Sequence, residues 1–350
     1  LIIIFESKFV RNFKRNVTSM AKKYDVYGIG NALVDMEFEV TADFLNKAAI
    51  SKGVMTLVDE DRQTEIITTL HGIQHKRSCG GSAANTMIAV SQFGGKSFYS
   101  CKVASDETGD FYFKDLMDNG VETNLSTSSL EPGVTGKCIV LITPDADRTM
   151  NTFLGITQTL STKELIEESI KNSNYVYIEG YLVASPTGKE AAVKARKVAE
   201  ANNVKTAITF SDVNMVTYFS EGLAEMVGAG VDLLFCNEAE AYGYTKTDNV
   251  ADAAKILKKI AKAFSITLGA KGAFVFDGEK EIYVVTTPVE AIDTNGAGDL
   301  YAGAFLYAIN AGISYAEAAK LGCTASSLLV TQFGARLQKE QVLEIKAKTL

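Results

Sequence analysis

Ile292-Asp293-Thr294-Asn295-Gly296-Ala297-Gly298-Asp299-Leu300-Tyr301-Ala302-Gly303-Ala304-Phe305 is the stretch that decides the reading of this chain. A glycine-rich turn runs into a helix whose apolar positions include Phe305, Leu306 and Ile309. Glycines let backbone N–H groups approach an anion closely, and a helix N-terminus adds about half a positive charge. The run therefore reads as an anion hole for a phosphoryl group in transfer. Asp299 falls in the first helical turn, aimed at the same place. An acid beside a phosphate repels it unless it accepts a proton from an attacking hydroxyl. A lone Gly-x-Gly-Asp would be no more than a favourable first-turn acid; the whole run favours the chemical role.

Outward from this run the chain alternates. Short β-rich stretches fall at Tyr24 to Ile29, Phe98 to Val103, Tyr175 to Ile178, Thr206 to Phe210, Val231 to Cys236 and Ser265 to Leu268. Helical stretches lie between them at Ser82 to Phe93, Phe111 to Asn119, Lys189 to Asn202 and Ala251 to Ala263. Such alternation predicts an α/β fold with a mostly parallel sheet flanked by helices. Two stretches break it. Val34, Met36, Phe38 and Val40 alternate with Asp35, Glu37 and Glu39, which predicts a strand with one wet, acidic face. Gly136 to Phe153, with a turn at Pro144 to Asp147, reads as a hairpin. Together they predict a small β-sheet lid over a site at the strand ends, built from insertions at about 33–60 and 120–156.

The 350 residues are 47% hydrophobic and 22% charged, a globular composition long enough to bury a core without staples. A net charge of −7 argues against a nucleic-acid surface, and no apolar run is long enough to span a membrane. The five cysteines form no C-x-x-C and read as buried thiols in the cytoplasm. His71 and His75 have the spacing of a helical metal pair, but Gly72 lies between them and no third ligand is near; exposed loop histidines are expected. Histidine-centred catalysis has little material here. Residues 1–23 differ from the rest: an apolar start, then Lys8, Arg11, Lys14 and Arg15. They are expected to form an extension outside a 24–350 domain, upstream of a start at Met20, with a transit peptide or a surface anchor as the other reading.

The run from Ile292 resembles the signature of the ribokinase-like sugar and nucleoside kinases, the PfkB family, in the form seen in the adenosine-phosphorylating members, and the likeness extends from Tyr24 to Ala335. The resemblance implies a ribokinase-like fold and an ATP- and Mg²⁺-dependent kinase. Its aspartate, here Asp299, would be the catalytic base, and the amides of Gly296, Ala297 and Gly298 the anion hole. Gly28-Ile29-Gly30-Asn31-Ala32-Leu33-Val34-Asp35 is similar to the family's first substrate motif. Read alone, Gly28-x-Gly30 suggests a dinucleotide site, but Leu33 holds the third glycine position and a strand follows where a helix is needed. In the kinase reading Asp35 accepts from two sugar hydroxyls and Asn31 lies near base or sugar; a solvated strand face is the other reading of Asp35. Gly80-Gly81-Ser82-Ala83-Ala84-Asn85 resembles the second substrate motif. Ser82 is expected to cap the helix and Asn85 to bond the sugar; an ordinary helix start is the plainer alternative.

Asn237-Glu238-Ala239-Glu240 matches the family's N-x-x-E motif. Asn237 and Glu240 would hold water around Mg²⁺, although the spacing also fits a capping pair; Glu238 should face elsewhere. Thr267-Leu268-Gly269-Ala270-Lys271-Gly272 resembles the nucleotide loop under the ATP phosphates and ribose, with Thr267, Gly269 and Gly272 as its contacts. No P-loop sequence exists. Arg148 in the lid is a candidate to close on the phosphates. Asp293 and Asn295 match positions beside a K⁺ site, with carbonyls from Gln332 to Ala335. The reaction implied is phosphorylation of a primary hydroxyl, most simply the 5′-OH of adenosine to AMP in purine salvage. Phe153, Tyr181 and Phe38 are candidates for purine stacking. A ribokinase or fructokinase, an inosine-guanosine kinase, and an inactive regulatory binding relative are the alternatives. The expected partner is a small nucleoside or sugar, with no nucleic acid and no membrane, in a monomer or homodimer.

Overall fold

The computed structural model describes residues 21–70, 74–125, 130–145 and 147–350, with the backbone alone for 74–76. His71, the His75 side chain and residues 1–20 lie outside the described residues, and so do the metal and extension readings placed on them. The strands are β1 (Tyr24–Ile29), β2 (Leu33–Glu39), β3 (Met55–Leu57), β4 (Gln74–Gly80), β5 (Ser97–Ser100), β6 (Glu122–Thr123), β7 (Thr135–Ile142), β8 (Arg148–Gly155), β9 (Ser173–Ile178), β10 (Lys205–Thr209), β11 (Val231–Asn237), β12 (Ala261–Thr267), β13 (Ala273–Phe276) and β14 (Glu281–Val284).

Nine of them form one sheet in the order β14-β13-β12-β11-β10-β9-β1-β5-β6. It is parallel from β6 to β12, and the last two pairings, β12–β13 and β13–β14, are antiparallel. The strands are apolar on both faces because helices cover both. Along β1, Val26 enters one layer and Tyr27 and Ile29 the other. The helices that matter for the site are α1 (Ser82–Gln92), α2 (Glu107–Asp118), α3 (Glu238–Thr245) and α4 (Ala297–Asn310). Helix α4 is anchored by Phe305, fully buried with its ring centroid 5.5 Å from that of Phe235 and 5.3 Å from that of Tyr315. Removing such a ring costs about 3–5 kcal/mol, so the helix that opens at the glycine turn is firmly seated.

The other five strands form a second sheet in the order β3-β8-β7-β2-β4. The expected hairpin is β7–β8, pairing Lys137 with Phe153 and Ile142 with Arg148. The sheet reaches beyond the expected insertions to β4, which pairs antiparallel with β2. Three local expectations are corrected. The helix read as running to Ala263 ends at Leu257, because Ala261 to Thr267 is strand β12, inside the large sheet. The strand read to Val103 ends at Ser100. The acidic face of β2 is wet only at Glu39, the last residue of the strand: Asp35 is 6% and Glu37 0% exposed, because the face turns inward there. Alternation gave the right period, but it cannot say which face meets water.

Candidate active site

A cleft of about 720 Å³ lies between the two sheets. Its floor comes from the carboxyl ends of the parallel strands: Asn31 after β1, Glu179 after β9, Ser211 after β10, Asn237 at the end of β11 and Thr267 at the end of β12. Open α/β sheets bind ligands at this edge. The roof is the inner face of the small sheet. Arg148, Met150, Thr152 and Leu154 of β8 face in, and Phe153 between them does not. Phe38 likewise packs away from the cleft with Leu45, Ile66, Ile139 and Leu141. Of the three aromatic residues considered for purine stacking, only Tyr181 lines the cleft. Strand parity excludes the other two, leaving an apolar roof of Met55, Leu57, Val140, Met150 and Leu154.

Asp299 is the third residue of α4 and sits partly buried on the cleft wall. Ser82 Oγ donates to its Oδ1 at 2.7 Å and Asn85 Nδ2 to its Oδ2 at 3.1 Å. Burial raises its carboxyl above the usual carboxylate range, while Ser82, Asn85 and the Arg148 charge pull it back. The predicted cap is therefore not formed: Gly81 is the N-cap of α1, and the Ser82 hydroxyl is spent on Asp299. Gly296 caps α4 at φ 72°, with its Cα facing Ala335 so closely that an added Cβ would lie 2.6 Å from the Ala335 carbonyl oxygen. A side chain would be strained there twice over. At Gly298 an added Cβ would meet nothing within 4 Å, so the first turn opens onto free space. The first N–H groups of a helix have no carbonyl partner within it, and of these Ala297 N turns back to the Thr294 carbonyl at 3.4 Å.

Across the cleft, Asp35 on β2 lies directly against Gly80 on β4; an added Cβ on Gly80 would be 2.1 Å from Asp35 Oδ1. Gly80 does not line the cleft; it makes room for the carboxylate that does. Burial pushes the Asp35 carboxyl up to about 7, Glu37 and Asp299 add to this, and Arg336 and Asn295 oppose it. Asn31 lines the cleft and is held by Glu179, whose Oε1 accepts from Asn31 N at 3.1 Å and Nδ2 at 2.9 Å. Glu179 Oε2 accepts from Ala83 N at 2.8 Å, joining the two substrate motifs. Burial pushes its carboxyl up to about 7 against those hydrogen bonds.

The remaining residues divide. Asn237 and Glu240 form a reciprocal capping box on α3: Asn237 Nδ2 to Glu240 Oε1 at 2.7 Å, and Glu240 N to Asn237 Oδ1 at 2.8 Å. Both line the cleft, and burial pushes the Glu240 carboxyl up to about 7, aided by Asp212 and Asp299. Glu238 turns away, toward Tyr242 and Lys271. Thr267 lines the cleft, while Gly269, Lys271 and Gly272 lie outside its wall. Arg148 bridges roof to turn: its Nε donates to Thr294 Oγ1 at 3.2 Å, its Nη1 to Asn295 Oδ1 at 3.1 Å, and it pairs with buried Asp293 at 3.5 Å. Asp293 itself holds the turn, Oδ1 accepting from Asn295 N and Oδ2 from Gly334 N. Ser211 and Asp212 also line the cleft. Sequence reading did not find Glu179 or Arg336; the end of strand β9 was visible, but nothing local marked its acid as a ligand of distant amides.

The pfkB family carbohydrate kinase model matches residues 53–341. The solved adenosine kinase from Sinorhizobium meliloti is 32% identical, with a TM-score of 0.86 over 93% of this chain and 99% of that one. A probable sugar kinase protein from Rhizobium etli CFN 42 is 30% identical, with a TM-score of 0.87 and the same coverage. Adenosine kinase 1 of Arabidopsis thaliana is 27% identical over 88% of this chain and 94% of its own length. With a ribokinase-like architecture, a match over most of its length and a glycine turn that presents an acid to an open helix N-terminus, the chain belongs to the pfkB family of carbohydrate kinases, phosphotransferases that use an alcohol as acceptor.

Proposed function

We propose that the chain transfers the γ-phosphoryl group of ATP to the 5′-hydroxyl of adenosine, with Asp299 accepting the hydroxyl proton. The observation that carries this reading is the clamp on Asp299: Ser82 and Asn85 hold its two oxygens at the mouth of the α4 turn, beside the open space over Gly298. A carboxyl with a raised pKa is a stronger base than an exposed one, and it still ionises near neutrality when hydrogen-bonded. The amides at 296–298 face the charge that develops on the transferring group. Asp35 receives the ribose hydroxyls, while the Asn85 amide is engaged by Asp299 and Arg336. Arg148 draws the roof onto the turn and shuts out water, so that ATP is not hydrolysed.

The apolar roof favours a nucleoside. Met55, Val140, Met150 and Leu154 match the flat apolar faces of a purine, whereas a free sugar offers nothing to bury against them. The likeness to a probable sugar kinase keeps a sugar acceptor as the second reading. For Mg²⁺ the wall is suited in charge but not in ligands: Asp212 and Asp299 add to the burial that raises the affinity of Glu240 for a proton, yet no group of three metal-ligating side chains exists among the described residues. Mg²⁺ would arrive with ATP, with Glu240 and Asn237 reaching it through water. When bound it neutralises phosphate charge. Asp293 accepts from two backbone amides and pairs with Arg148 at 3.5 Å, so its charge is already answered within the chain. ADP release and thermal shift across adenosine, inosine, ribose and fructose test the reading. Turnover and stabilisation with adenosine are expected; both with sugars alone would reverse the choice.

A further inference from the structure

Arg336 is 8% exposed and does not line the cleft. Its guanidinium nonetheless donates to three segments of the site. Nε donates to Asn85 Oδ1 on α1 at 3.2 Å, Nη1 to Asp115 Oδ2 on α2 at 2.8 Å, and Nη2 to the Cys79 carbonyl on β4. Only the rigid fork of an arginine reaches three acceptors in fixed directions.

The contact with Asn85 has a chemical consequence, because the two ends of an amide differ. With Oδ1 accepting from Arg336, Nδ2 is the end turned to Asp299 Oδ2. The flipped amide would set an oxygen against a carboxylate and an NH₂ against a guanidinium. Arg336 therefore fixes which end of the amide Asp299 meets. The same linkage closes on its other side. Two residues before Arg336, the Gly334 amide donates to Asp293 Oδ2 at 2.9 Å, and Asp293 Oδ1 accepts from Asn295 N at 2.8 Å. From Asn295 the turn leads to Asp299, so the base sits in a closed ring of contacts.

The geometry points to Arg336 as a positioning residue for phosphoryl transfer: it locks the Asn85 amide so that the Asp299 carboxylate is held ready to take the hydroxyl proton. This rests on the reading of Asp299 as the base. Arg336 touches no substrate, so its loss slows the step without weakening substrate binding.

The test is a double-mutant cycle on the full chain, using whichever alcohol the native enzyme phosphorylates. Arg336→Lys keeps the charge that Asp115 pairs with but loses the fork, so it folds where Arg336→Met, which strands Asp115, fails. It should lower kcat about tenfold, with KM for both substrates changed less than about twofold. In an Asn85→Ala background, the same substitution should cost less than about twofold, since the residue acts through Asn85. Equal kcat losses in both backgrounds, or a rise confined to KM, would overturn the inference. Asp299→Asn in the same series separates the two claims. If it abolishes turnover while the cycle is additive, only the role of Arg336 fails; if it keeps turnover, the base assignment fails first.

Discussion

Gly80→Ala is the sharpest probe of how the acceptor is held. The added methyl would lie 2.1 Å from Asp35 Oδ1, 2.3 Å from Cγ and 2.5 Å from Oδ2. An ordinary carbon–oxygen contact is about 3.4 Å, so the carboxylate must retreat by about 1 Å or more. The strand itself gains nothing adverse, because alanine is tolerated in a strand and the displaced group is the end of a side chain. A retreat of that size breaks the hydrogen bonds that Asp35 offers to the sugar. A hydrogen bond to a charged group is worth about 1.5–3 kcal/mol, or roughly 10- to 150-fold in affinity. Steady-state kinetics should show KM for the nucleoside raised by at least about tenfold, KM for ATP nearly unchanged, and a melting curve close to that of the native protein. Asp35→Ala should reproduce the effect, and the two changes together should add little. A Gly80→Ala enzyme that melts normally and keeps its native nucleoside KM would refute the placement of Asp35 at the acceptor.

Other outcomes follow from the same geometry. Arg148→Ala, which cuts the roof from Thr294, Asn295 and Asp293, should lower kcat about tenfold or more while changing stability by less than about 1 kcal/mol, measured by kinetics and denaturant melts. Ser82→Ala removes a hydrogen bond that favours ionised Asp299, so the acid limb of the kcat–pH profile should move to higher pH, with activity recovering in alkaline buffer. Glu179 has a folded pKa of about 7, above its ordinary value near 4.5, so the folded state binds the extra proton. Its contribution to stability is present below pH 4.5 and is lost as pH rises to about 7. Glu179→Gln should flatten that part of the Tm–pH curve relative to the native protein. All five cysteines are buried and unbridged, so a thiol reagent should modify them slowly until the protein unfolds.

What the sequence made legible was periodic or local. Strand β1 has the predicted ends, and α1 differs from its predicted span by one residue, because an apolar run bounded by glycine turns is a local signal. The turn at 293–299 was legible for the same reason: its glycines, its acid and its helix lie within one window. Parity and distance were not. Asp35 and Phe153 each belong to a strand that was found, but which side of the sheet faces the cleft depends on the neighbouring strands. Arg336 and Asn85 are 251 residues apart, and Asn31 and Glu179 are 148 apart, so no spacing rule links them. The helix overrun to Ala263 has a similar cause: Ala253 to Ala263 is apolar at helical spacing, and only pairing with β11 makes its end a strand.

The central claim is that Asp299 takes the proton from the attacking alcohol. Its most direct measurement is the turnover number of Asp299→Asn with adenosine and ATP, alongside its melting temperature. Turnover should fall by about 10²–10⁴ with the fold intact. An Asp299→Asn enzyme that melts like the native protein and phosphorylates adenosine at a similar rate would contradict it.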